Sequence, residues 1–355
     1  MIEIRTYEGD GQDIADLLAR TWRSAYQGKH WCPLWDADYI RWQLLADRPG
    51  GHEFLVSAYD GRRLVGCVLA ERMTFRLHDR EVEGTIGSWL TVDPDARSSH
   101  LSFKMVEELG RRQRERGMAF LLGYVDCNPA TPAHHFWTRF AKKHPRDLRF
   151  VRRIGYWIRI LNAPALGRGC LYRYERIGAR VHGWIPLLRA PGRMAYGVRD
   201  FSDGDFEACE RLVRESSVHA DLATVWRPER LARQLSWNDL PRTLVLERNG
   251  APLSLINYHR LGLLGVKVVS VSLIDLLTSA EASPRDRRRL LRSALCRMKA
   301  EGFDVALALR TPMFPPRVML ACGFLPRPGS YYLVYVFPDP GLELPAATRP
   351  DVLLR

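Results

Sequence analysis

The strongest constraint on the fold is an internal repeat of very long period. Ile4-Arg5-Thr6-Tyr7, followed by a helical stretch from Asp13 to Arg20, returns as Val198-Arg199-Asp200-Phe201 followed by Asp205 to Arg214, an offset of 194 residues. Phe54-Leu55-Val56 leads into Asp60-Gly61 and Leu64 to Val68, and Leu244-Val245-Leu246 leads into Asn249-Gly250 and Leu253 to Ile256, an offset of 189. Asp-Gly or Asn-Gly between two apolar runs predicts a hairpin with a type I′ turn. A helix stopped by Gly117 feeds the strand Ala119 to Val125, and one stopped by Gly302 feeds Asp304 to Leu309, an offset of 185. Landmarks in one order with a slowly drifting offset predict two tandem copies of one domain plan, not a solenoid of short units.

Each copy reads as a strand, one or two helices, an antiparallel hairpin, a long strand, a helix, a strand, a short helix and a closing strand pair. The closing pair is Phe150 with Tyr156 to Ile160 in the first copy and Phe324 with Tyr331 to Phe337 in the second. The expected fold class is α+β (mixed α/β), each copy a mostly antiparallel twisted sheet flanked by helices. The expected boundaries are 1–161 for the first domain, 162–194 for a Pro- and Gly-punctuated connector, 195–338 for the second domain and 339–355 for an extended tail.

Composition narrows the setting. No apolar run reaches the length of a membrane span, and Met-Ile-Glu-Ile-Arg lacks a signal core, so a cytoplasmic protein without a membrane partner is expected. The seven cysteines are dispersed with no Cys-x-x-Cys pair, which predicts neither a disulfide frame nor a metal site. Net charge is +13, and 47 of the 53 cations are arginine. The runs Arg111-Arg112 with Arg114 and Arg116, and Arg285 with Arg287-Arg288-Arg289, fall on expected helices. They fit solvated helix faces, an acidic protein partner or nucleic acid.

The chemistry is expected at the junction Leu90-Thr-Val92-Asp-Pro94-Asp-Ala-Arg97-Ser98-Ser99-His100-Leu101-Ser102. An apolar strand stops at Asp93-Pro94 and a helix starts a few residues later. Pro94 cannot pair in a ladder, and a helix start offers unpaired amides and a positive dipole end to an anion. A strand ending Val-x-Pro and an Arg-led helix start, in this order of elements, resembles the GNAT (N-acetyltransferase) superfamily, here in tandem. The resemblance implies acyl transfer from acetyl-CoA or another acyl-CoA to a small-molecule amine. It implies that Leu90 and Val92 pair with the pantetheine arm, that Arg97, Ser98, Ser99, His100, Leu101 and Ser102 form the pyrophosphate turn, and that Asn128 contacts the arm. His100 stands where the family has its first glycine. Either its ring meets phosphate, or the donor is a phosphopantetheine on an acyl-carrier protein, or the turn is vestigial. The second copy, Thr278 to Arg285, has no loop glycine and carries Glu281, so the donor is assigned to the first copy.

Amide formation from a thioester needs a group to take the ammonium proton and one to protonate the departing thiolate. Glu83, at the start of the long strand, is the first candidate base, and alternation places Thr85, Gly87 and Trp89 on its side. The family's tyrosine acid is missing from Asp126 to Trp137, where His134 or His135 is the candidate substitute. Asp275, Tyr258 and His259 in the second copy are read as structural. The acceptor site is expected around Trp22 to Trp42. Two other readings share the architecture. One is a Fem-like transferase drawing on aminoacyl-tRNA, disfavoured because no basic patch interleaves with aromatics; the other is an inactive GNAT-fold binding module.

Overall fold

The computed structural model describes residues 1–45, 52–184, 192–278, 282–346 and 348–353. The first copy runs β1 (Ile2–Thr6), α1 (Gln12–Tyr26), β2 (Cys32–Leu34), α2 (Ala37–Ile40), β3 (Leu55–Asp60), β4 (Arg63–Leu77), β5 (Arg80–Val92), α3 (Leu101–Glu115), β6 (Leu121–Asp126), α4 (Pro132–Lys143) and β7 (Leu148–Ile160). The connector holds α5 (Ala163–Gly169) and α6 (Arg173–Trp184). The second copy runs β8 (Val198–Asp200), α7 (Phe206–Ser216), β9 (Leu222–Val225), α8 (Pro228–Leu235), β10 (Pro241–Arg248), β11 (Ala251–Leu264), β12 (Val268–Leu277), α9 (Pro284–Ala300), β13 (Val305–Leu309), α10 (Pro316–Ala321) and β14 (Leu325–Val336). A last strand, β15 (Pro350–Asp351), pairs with β9.

Local chemistry sets these elements as the sequence implies. Asn249 and Gly250 both take the positive φ that a type I′ turn requires, whereas in the first hairpin Asp60 pairs with Arg63 and only Gly61 of the Gly61-Arg62 loop has positive φ, the pattern of a type II′ turn. Ser283 and Asp286 form a reciprocal capping box, with Pro284 in the first turn of α9. Helix α1 turns Ile14, Leu17, Leu18 and Thr21 to the core from one face. The two tandem GNAT-like units are joined in one sheet of order β1-β3-β4-β5-β6-β14-β7-β13-β12-β11-β10-β8. Helices α3 and α4 cover one face of the first unit through Met105, Leu109 and Phe140, while α1 and α2 cover the other through Leu17, Tyr39 and Trp42.

The closing strands do not stay with their own copies. On one edge β7 pairs with β14 along most of its length, Leu148 to Ile154 with Val336 to Tyr331 and Tyr156 to Ile158 with Arg327 to Leu325, and on its other edge Tyr156 to Ile160 pair with β13 of the second copy. The other edge of β14, Tyr331 to Val336, pairs with β6 of the first copy. Each copy thus receives its innermost strand from the other. A boundary at 161 or 195 separates the helices and hairpins but not the sheet. The ladder between β7 and β14 is interrupted at Gly155, opposite Pro328 to Ser330, and a Cβ there would lie 2.2 Å from the Arg327 carbonyl oxygen.

The chain after β14 is an arm that returns to the middle of the molecule. The Thr348 and Arg349 amides donate to Asp221, and Val352 and Leu353 are buried. Burial pushes the Asp351 carboxyl up to about 7 against the pull of Arg76. In the unfolded chain the same group ionises near pH 3.9, a value of about 4. Between about pH 4 and about 7 the unfolded chain therefore gives up a proton that the folded chain keeps, so this contribution is full at acid pH and lost as pH rises. Asp351→Asn is expected to flatten the decline of Tm across that window and to raise Tm by a few degrees at pH 8. Thermal melts of both proteins from pH 4 to 8 check it, and identical slopes would contradict it.

Candidate active site

The site grows from a fault in β5. Its parallel ladder with β6 runs Thr85 with Leu121, Ile86 with Leu122 and Gly87 with Gly123, and then ends. On the other edge the register slips, with Leu69 opposite Ser88 but Cys67 opposite Thr91. Trp89 and Leu90 thus oppose the single residue Val68, a β-bulge, and Trp89 has φ 62°. The bulge swings Trp89 and Thr91 towards α1, where Trp22 Nε1 donates to Thr91 Oγ1 at 2.8 Å. Leu90 and Val92 are left on the α3 face. Beyond Gly87 and Gly123 the two strands diverge, so the backbone of Trp89 to Val92 borders a slot between them. A bulge that frees main-chain amides beside a strand gap is a means of gripping a ligand with backbone groups.

The turn that follows is tightly tied. Asp93 accepts the Asp95 amide and is ion-paired to Arg20 at 3.1 Å and Arg63 at 2.7 Å, contacts that hold its carboxyl below the usual range despite its burial. Pro94 to Ser99 form a short 3₁₀ turn, and Arg97 Nε reaches back to the Val92 carbonyl at 3.4 Å. The side chains of Ser98 and Ser99 lie outside the described residues. His100 is left-handed, φ 53° and ψ 26°, the backbone conformation that favours glycine, and its ring makes no capping hydrogen bond. Its carbonyl accepts from Phe103 and Lys104, so the amides of Leu101 and Ser102 at the start of α3 have no capping side chain.

At the mouth of the slot, α1, β6 and α4 bring together groups that lie far apart in sequence. Asp126 ends β6. Its side chain accepts the Asn128 amide at 2.8 Å, and burial raises its pKa against the pull of that amide, His30 and His134. Asn128 Nδ2 lies 3.3 Å from His30 Nδ1, and the Tyr26 and His30 rings meet edge to face. Thr131 caps α4 by accepting the His134 amide at 3.3 Å. The His134 Nδ1 lies 3.0 Å from the Asp126 carbonyl oxygen. A carbonyl only accepts, so Nδ1 carries the proton and Nε2 presents its lone pair when the ring is neutral. His135 is exposed on the next helical position. Asp126, His30 and Tyr26 are absent from the sequence-level candidates; Asp-x-Asn at a strand end was the available signal.

Glu83 is placed elsewhere. It accepts from Thr74 at 2.7 Å, Arg72 at 2.8 Å and Arg227 at 2.9 Å. Burial works to raise its pKa, but these three donors outweigh it and hold the carboxyl below its ordinary value. Its neighbour Thr85 accepts from Gln113 of α3, whereas Trp89 packs with α1, so the two do not share a face as alternation implies. The bulge is the reason. Glu83 ties β5 and β4 to the segment after β9.

The second copy repeats the bulge and then fills it. Tyr258 pairs with Ile274 but Asn257 pairs with Leu276, leaving Asp275 as the extra residue. Asp275 accepts from Gln234 at 2.8 Å and lies 2.8 Å from His259 Nδ1, and the His259 ring packs against Tyr39 and Trp42 of the first copy. All of these side chains are buried. Where β12 and β13 diverge, past Ile274 and Ala308, the arm residues Asp351, Val352 and Leu353 line the gap. The first-turn amide of Asp286 in α9 is also taken, by the Ser283 hydroxyl. Glu281 lies outside the described residues. Among the described residues no cluster of metal-ligating groups occurs.

Comparison with known proteins agrees with the fold. Residues 12–141, from α1 into α4, match the model of the Acetyltransferase (GNAT) family. Structures of Saccharomyces cerevisiae N-myristoyltransferase solved with bound myristoyl-CoA superpose with a TM-score of 0.75, at 14% and 15% identity, covering all of this chain and 86% and 89% of theirs. A GCN5-related N-acetyltransferase from Kribbella flavida superposes at 0.51 and 14% identity, over 94% of this chain and 72% of its own. No curated protein matches in sequence.

Proposed function

We propose that this chain, whose first copy is a GNAT domain and whose enzyme class is therefore acyltransferase, moves an acyl group from an acyl-CoA to an amine through the slot between β5 and β6. The observation that carries the reading is the contrast between the two copies. In the first, the strand gap is bordered by the bulge and leads to an uncapped helix start at Leu101 and Ser102. In the second, the gap is lined by the arm and the helix start is capped by Ser283. Among the described residues, the first offers backbone to a thioester and amides to a phosphate, and the second does not.

Within that reading Leu90 and Val92 border the pantetheine arm, and Arg97 to Ser102 receive the pyrophosphate. The left-handed His100 supplies the backbone shape that glycine gives elsewhere, at the cost of a ring beside the phosphate. Asn128 orders the loop between β6 and α4. His134 Nε2 takes a proton from the attacking ammonium and returns one to the thiolate, so the products are an amide and free coenzyme A. The acceptor is assigned to the side of α1 and α2, where Trp35, Tyr39 and Trp89 are in mutual ring contact. The likeness to a protein holding myristoyl-CoA places long-chain donors beside acetyl-CoA in the test. No observation favours a carrier-protein donor or tRNA. Calorimetric titration with coenzyme A, acetyl-CoA and myristoyl-CoA tests the reading. Heat of binding with at least one acyl-CoA is expected, and none with any of the three would sink it.

A further inference from the structure

Helix α6 carries an apolar stripe on the side turned away from the protein. Tyr174, Ile177, Val181 and Trp184 follow one another at three, four and three residues, one face of a helix, and all are exposed, Trp184 by 78%. The opposite face is firmly docked. Ala179 packs into a cluster with Leu261, Val269 and Val305, and His182 accepts from Arg159 of β7 at 3.1 Å. The stripe is therefore held in place and has no cover among the described residues. Three arginines, 173, 176 and 180, flank it, and no carboxylate pairs with them among the described residues.

Next to the end of this helix lies a basic concavity of about 450 Å³. Arg285, Arg288, Arg289 and Arg292 line it from successive turns of α9, with Arg193 opposite. The Arg159 that holds His182 also lies against Gly323, whose neighbour Cys322 contacts the Arg288 carbonyl through its thiol, so the two surfaces are adjacent. Tyr196, 93% exposed, sits at the rim, where its carbonyl accepts from Arg289. The contrast with α3 is informative. There Arg111, Arg112 and Arg116 are each matched to Glu108, Glu115 or Glu53. The five arginines of the concavity have no such partner among the described residues.

We propose that α6 and the α9 arginines form one surface that seats the protein on an anionic lipid bilayer, with the helix lying in the interface and not spanning it. An apolar stripe rich in Tyr and Trp, flanked by arginines and joined to a basic patch, has the composition of an interfacial helix. A second copy is disfavoured as the occupant, because a self-facing contact would set these arginines against each other. Nucleic acid would match the arginines but leaves Ile177 and Val181 without a role. The expectation of no membrane partner rested on spans, and among the described residues no helix is long and apolar enough to cross. An interfacial helix needs no such length.

The test is co-sedimentation of the full chain with vesicles of phosphatidylcholine, alone or mixed with phosphatidylglycerol. Binding to the mixed vesicles and not to the neutral ones is expected. The pair Ile177→Glu and Val181→Glu should abolish it, with an unchanged circular dichroism spectrum because both side chains are exposed. Arg288→Ala with Arg292→Ala should weaken it by roughly 25-fold, about fivefold for each arginine near an anionic leaflet. Failure to bind mixed vesicles would overturn the proposal. So would binding that survives both glutamates, a dimer by light scattering that those glutamates dissociate, or tighter retention of RNA than of vesicles.

Discussion

His134→Ala is expected to lower turnover by roughly 100-fold or more while leaving the affinity for acyl-CoA nearly unchanged, and His135→Ala is expected to do neither. The difference follows from geometry. His134 is anchored through Nδ1 to the Asp126 carbonyl, at the mouth of the strand gap, so Nε2 is fixed in direction and tautomer. His135 shares the sequence context but points to solvent. The His134 ring is held by its hydrogen bond to the Asp126 carbonyl, and its backbone amide keeps the Thr131 cap, so the alanine variant should fold. Steady-state kinetics with donor varied at saturating amine separate the two constants. Equal losses in both variants would remove the proton-transfer role from His134.

Gly155→Val is expected to destabilise the protein by roughly 3 kcal/mol or more, read as a lowered urea midpoint. At this residue the ladder between β7 and β14 is interrupted, and a Cβ would sit 2.2 Å from the Arg327 carbonyl oxygen and 3.0 Å from the Pro328 carbonyl carbon. Both obstacles are backbone, so no rotamer change relieves them. The strain falls on the ladder between β7 and β14, the two strands that the copies exchange, so both copies should lose stability together. Gly178→Ala on the exposed side of α6, where a Cβ meets nothing within 4 Å, should be neutral or stabilising. A Gly155→Val midpoint equal to wild type would mean that the exchange does not hold the halves together.

Much of the plan was legible in the sequence because it is written in local chemistry. Asp60-Gly61 and Asn249-Gly250 specify their own turns, and Ser283-Pro284 specifies the start of α9. The drift in offset between landmarks announces two copies. The exchange of β7 and β14 was not legible. Each strand carries enough β-forming residues for a single closing strand, and the choice of partner, β14 beside β6 and β7 beside β13, is made in the assembled sheet and not by any local signal. The bulge was hidden for a related reason. Trp89 holds a left-handed backbone that sequence signals through glycine or asparagine, and from that point every alternation argument changes face. That shift separated Glu83 and Thr85 from Trp89 and left Glu83 tying strands together through Arg72, Thr74 and Arg227. The mouth cluster escaped because His30 and Asp126 meet only once α1 and β6 are folded.

The arm sharpens the assignment of the donor to one copy. Both copies retain a bulge in the strand before the helix, at Trp89 and at Asp275. The difference lies in what fills the gap beyond it. Asp275 is spent on His259 and Gln234, and the arm lines the space where a thioester would enter. The second copy thus supports the first, lending β14 to its sheet and His259 to the wall behind Tyr39 and Trp42.

The number of donor sites is the most direct measure of this account. Calorimetric titration of the acyl-CoA that binds best should saturate at one molecule per chain, and a variant carrying Ser283→Gly with Asp286→Ala, which uncaps α9, should not add a second. Two sites per chain, or one site that persists when the turn from Arg97 to Ser102 is replaced by an unrelated loop, would contradict it.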